Sequence, residues 1–115
     1  MFRVQATMSA YLLIESGSAS EGLGVHNFLE TAAYLSQAGH RVDLFLIQNA
    51  VLLAVHDADP AIKALASRDN VSVWADDFSL RMRALGTGEL APGVHAVGME
   101  TLIDLLASGR KPIWH

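Results

Sequence analysis

A chain of 115 residues with 51% hydrophobic side chains has enough apolar material for one real core, so a single domain over residues 1–115 is expected. Its formal charge of −4 and pI near 5.6 leave no basic face to neutralise phosphates or an anionic leaflet, which argues against nucleic-acid and membrane partners. With no cysteine, the chain cannot form a disulfide, carry a persulfide or use a thiolate nucleophile of its own.

The opening MFRVQATMSAYLLIE lacks the basic flank, long apolar run and small-residue cleavage site of a secretory signal. Its longest apolar run, Ala10 to Ile14, is too short to span a bilayer, so a cytoplasmic protein is expected, with residues 1–7 as a loose tail. Ala10–Glu15 (AYLLIE) reads as a buried parallel strand that opens into the turn-rich loop Ser16–Gly24. Val25, Phe28, Leu29, Ala32 and Leu35 then recur at helical spacing, with Gly39 as the stop.

Arg41–Ile47 is the second predicted strand, followed at Gln48–Asn49 by a short apolar helix over Ala50–Val55. Asp59–Pro60 opens a further helix through Arg68, with proline at the first helical position, where its missing N–H is no loss. Val71–Ala75 is a third strand, and Asp76–Asp77 are placed to cap a short helix over Phe78–Leu85. Val94–Val97 is a fourth strand. It leads into a helix with Met99, Leu102, Ile103 and Leu106 along one face and Gly109 at its end, and Pro112–His115 is a last strand. Strands alternating with amphipathic helices predict a three-layer α/β/α domain with a mainly parallel sheet of about five strands.

In such sheets ligands gather beyond the carboxyl ends of the strands, which nominates Ser16–His26, Gln48–Asn49, Asp76–Arg83 and Gly98–Glu100. The ligand contacts put forward there are Ser16, Ser18, His26, Gln48, Asn49, Arg81 and Glu100. Gly17-x-x-x-x-Gly22 has the glycine spacing of a phosphate-cradling loop, but Leu23–Gly24 stand where lysine and a hydroxyl residue are required, and Glu15 and Glu21 repel phosphate. Asp76 and Asp77 could share a site as an acid/base pair, or one could cap the helix while the other faces solvent. Capping is the commoner arrangement. The five histidines show no zinc-ligand spacing, the serines lack a nucleophile elbow, and neither metal nor cofactor is expected. Val51–Leu52–Leu53 exceeds what a short surface helix needs and suggests a subunit contact there.

The runs YLLIESG, VDLFLIQNAV, VSVWADDFSLRMRAL and LIDLLASGRKPIWH together resemble the DsrE/DsrF/TusD-like family of small sulfur-relay proteins, from about Tyr11 to the end. The resemblance implies a DsrE-like fold assembled as a homotrimer, a homohexamer or a mixed hexamer with related subunits. It also implies a persulfide-carrying cysteine just beyond the third strand, a place that Asp76 takes here. A carboxylate is a hard oxygen base that cannot hold a transferable sulfur, so the family reaction is not carried over. Two expectations remain: an oligomeric binding or accessory protein unable to carry sulfur itself, or an enzyme using Asp76 or Asp77 as acid/base with His26 or Arg81 assisting in a pocket at a subunit interface.

Overall fold

The computed structural model describes residues 9–115, so the tail expected over residues 1–7 lies outside the described residues. The strands are β1 (Ala10–Glu15), β2 (Arg41–Leu46), β3 (Val71–Asp76), β4 (Val94–Val97) and β5 (Lys111–Trp114). They form one five-stranded sheet in the order β4-β3-β2-β1-β5, and every neighbouring pair is parallel. The helices are α1 (Leu23–Gln37), α2 (Pro60–Ala66), α3 (Asp77–Met82) and α4 (Met99–Ala107). Among the described residues no helix is long and apolar enough to cross a membrane.

Alternation along the strands sends side chains to two faces. Leu13, Leu44, Leu46, Val73 and Ala75 face a core built with Val25, Phe28 and Leu29 of α1, Ile62 and Leu65 of α2, and Leu80 of α3. Leu12, Ile14 and Phe45 face the other way, onto Leu102 and Leu105 of α4. The layers are those of an α/β/α fold, but among the described residues α4 is the one helix packed on its side of the sheet. Its predicted apolar stripe is split: Leu102 is buried, whereas Met99, Ile103 and Leu106 are exposed.

Three further differences from the sequence reading have local causes. The run expected as an α-helix over Ala50–Val55 is a 3-10 helix over Gln48–Ala54. Its Val51 and Leu53 are buried in the core and Leu52 emerges, so most of the apolar surplus there is spent inside the chain. The helix expected through Arg68 ends at Ala66, and the one expected over Phe78–Leu85 is Asp77–Met82.

Gly39 and Gly109 end α1 and α4 as expected, with φ of 92° and 87° at the position where the backbone must turn left-handed. Beneath α4 lies a buried charge, Asp43 of β2. Trp74 Nε1 donates to its Oδ1 at 2.9 Å and Arg110 Nε donates to its Oδ2 at 2.6 Å.

Candidate functional site

At the end of β3, Asp76 is the N-cap of α3. Its Oδ2 accepts from the Ser79 backbone N–H at 3.0 Å and from Ser79 Oγ at 2.7 Å. The Ser79 hydroxyl in turn accepts the backbone N–H of Gln48 at 2.8 Å. Gln48 needs that anchor, because its φ of 52° lies in the left-handed region that an L side chain resists. Asp76 is buried at 3% exposure and sits at the floor of a hollow of about 240 Å³ lined by Ile47, Gln48, Phe78, Met82, Arg83 and Met99.

The neighbouring strand ends are joined by a polar chain. Arg83 Nη2 donates to Asn49 Oδ1 at 2.8 Å and Arg83 Nη1 to the Ser79 carbonyl at 3.0 Å, while Asn49 Nδ2 donates to Glu21 Oε1 at 3.4 Å. Arg83 is therefore the arginine that reaches the strand ends. Arg81 instead pairs with Asp77 at 3.5 Å on the exposed side of α3. Ser16 Oγ donates to the His115 carbonyl at 3.1 Å, and Ser18 Oγ shares a 2.8 Å hydrogen bond with Ser20 Oγ. Glu100 lies exposed in the first turn of α4, its carboxylate folded back over Gly98.

The structure thus brings Asp76, Gln48, Asn49 and the serine loop to one rim. It does not bring His26 to Asp76: His26 pairs with Glu30 at 3.0 Å one turn along α1, and it does not line the hollow above Asp76. Asp77 faces outward beside Arg81. The acid/base partners expected for the two aspartates are therefore directed elsewhere.

One arrangement on this rim was missed by sequence reasoning. Register pairs Ile14 with Trp114, so the next residues along, Glu15 and His115, fall side by side although 100 positions apart. Glu15 is fully buried, and its Oε2 accepts the backbone N–H groups of Ser16 and Gly17, each at 3.0 Å. His115 Nδ1 lies 2.9 Å from both carboxylate oxygens, and the imidazole stacks on Phe28 with ring centroids 5.3 Å apart. A glutamate at the end of a predicted strand was the one available signal; its partner depends on β5 lying beside β1, which hydrophobic pattern does not reveal.

A parallel five-stranded sheet with its polar rim at the strand ends places the chain among small α/β/α proteins of the DsrE kind. The family model described as the DsrE/DsrF-like family matches residues 8–114, and the chain belongs to that family. Among solved structures it is similar to the ychN protein of E. coli, with TM-score 0.84 and 18% identity over 95% of this chain and 100% of that one. It is also similar to MTH1491 of Methanobacterium thermoautotrophicum, a protein described as of unknown function, with TM-score 0.78 and 16% identity over 95% of this chain and 100% of that one. These likenesses show a shared fold. No curated protein matches the chain.

Proposed function

We propose that this protein is an oligomeric binding or accessory subunit, related to the sulfur-relay proteins of its family but not itself a sulfur carrier. The observation that carries the reading is the use of Asp76. At the strand end where the family resemblance puts a sulfur-bearing cysteine, this chain has a buried carboxylate committed to capping α3 and, through Ser79, to holding Gln48. No thiol exists elsewhere to take over. Beside that position the protein presents apolar side chains to its surroundings, with Phe78 59%, Met82 68% and Met99 44% exposed, as a subunit awaiting neighbours would.

Assembly as a homotrimer, a homohexamer or a mixed hexamer with related subunits in the cytoplasm fits this reading, with any small ligand held at the strand-end rim. Native mass spectrometry of the protein purified from its own source tests it. An oligomer is the expected result, a mixed one with related subunits marking the accessory role and a homotrimer or homohexamer the binding role; a monomer overturns the reading.

A further inference from the structure

We infer that Glu15 and His115 form a proton-transfer site in which the buried carboxylate fixes the imidazole tautomer and Nε2 takes the proton of a neutral alcohol or thiol. The inference goes beyond the accessory-subunit reading and uses neither Asp76 nor any cysteine. It begins with the acceptor count at Glu15. A carboxylate can only accept, and two backbone N–H groups already point at Oε2. The ring nitrogen that faces it at 2.9 Å must therefore donate, which in the neutral imidazole places the hydrogen on Nδ1 and leaves the lone pair on Nε2. A second group orienting a histidine through one nitrogen so that the other acts as base is the general logic of acid/base dyads.

Nε2 is available. It donates to and accepts from no protein group among the described residues, and the His115 side chain is 43% exposed. Gly24 lets the ring lie close against the start of α1: a Cβ at that position would lie 2.8 Å from Nε2. The ring is held on its flat side by Phe28, so the nitrogen has a fixed direction as well as a fixed tautomer. Preset orientation of this kind is what distinguishes a catalytic base from a surface histidine. The exposed pair His56–Asp57, at 3.1 Å, has no such enclosure.

Charge selects the partner. Besides Glu15, the carboxylate of Glu21 faces this loop: a Cβ on Gly17 would lie 2.8 Å from Glu21 Oε2 and 3.5 Å from Glu15 Oε2. Two carboxylates disfavour an anionic ligand. A neutral O–H or S–H donor meets no such repulsion. As it reacts, its O–H or S–H bond breaks, the electron pair stays on oxygen or sulfur, and an Nε2–H bond forms. The dyad thereby passes from carboxylate–imidazole to carboxylate–imidazolium, and the new positive charge is compensated within 3 Å by Glu15.

The test has two readouts. NMR of protein labelled with ¹⁵N in histidine, at neutral pH, is expected to show His115 as the Nδ1–H tautomer. In Glu15→Gln the amide oxygen takes over the two backbone N–H groups and turns its NH2 toward Nδ1, so the tautomer is expected to invert. As a neutral protic probe, 4-nitrophenol is added below the pH at which it ionises in water. Native protein is expected to generate phenolate absorbance in proportion to its concentration. His115→Asn, which keeps a donor to Glu15, and Glu15→Gln should both lower that absorbance by more than His56→Asn does. An Nε2–H tautomer in the native protein, or a native phenolate signal no larger than that of His115→Asn, overturns the proposal. The tautomer readout stands even if a variant fails to fold.

Discussion

Asp43 carries a charge into the interior and is matched there by Arg110 and the Trp74 indole N–H. Removing Asp43 takes away the charge-assisted hydrogen bonds from Arg110 and the Trp74 indole, while the partly exposed Arg110 can turn to water, so Asp43→Ala is expected to cost about 3 kcal/mol in urea unfolding followed by tryptophan fluorescence. Asp43→Asn, which still accepts from the indole, should cost less. Asp76 has a different role, so its replacement has a different magnitude: Asp76→Ala removes an N-cap and is expected to cost about 1–2 kcal/mol, with Asp76→Asn close to native. A loss in Asp76→Ala well above that range would show a function for the carboxylate beyond capping. The two aspartates differ in how far their partners were legible in the sequence. Asp43 reads as an interruption of an apolar strand, because Arg110 is 67 positions away and is delivered by the fold. The cap was legible, since Asp76 and Ser79 are three residues apart.

Local spacing also explains which elements could be read. β1 and β4 have the predicted limits because each is an apolar run between turn residues. β2 ends one residue early, at Leu46, since the backbone reverses into the left-handed region at Gln48 and the buried Ile47 belongs to the turn. The end of α3 shows a similar effect. Its final turn has the Schellman pattern, with the Leu85 N–H bonded to the Leu80 carbonyl and the Ala84 N–H to that of Arg81. The left-handed position, filled by glycine after α1 and α4, is filled here by Ala84 at φ 55°. Without a glycine to mark the stop, the sequence suggested a helix running on to Leu85. Ala84→Gly should relieve the strain and stabilise the protein by up to about 1 kcal/mol, measured as a shift in the urea midpoint at constant slope.

Across the molecule, two faces of the sheet are covered unequally. Met99, Ile103 and Leu106 of α4 stand out together with Phe78 and Met82 of α3, since periodicity groups residues on one helix face but cannot say how many helices share a face of the sheet. If this surface joins subunits, Ile103→Glu should shift the mass measured by light scattering toward the monomer while leaving monomer stability within about 0.5 kcal/mol, as for a surface substitution. Ser16, Gln48, Asn49 and Asp76 were legible as strand-end residues because each lies at the end of an apolar run, whereas His115 at the far edge was not. That edge has a consequence in time. β5 pairs Lys111–Trp114 with Tyr11–Ile14, joining the two most distant stretches of the described chain, whereas β1, β2 and β3 follow one another along it. Closing so long a loop is entropically slow compared with forming the nearer pairs. The parallel core of β1–β2–β3 should therefore gain amide protection in pulse-labelled refolding before β5 docks. Until it docks, one margin of β1 is an open template for another strand, and the Glu15–His115 contact does not exist.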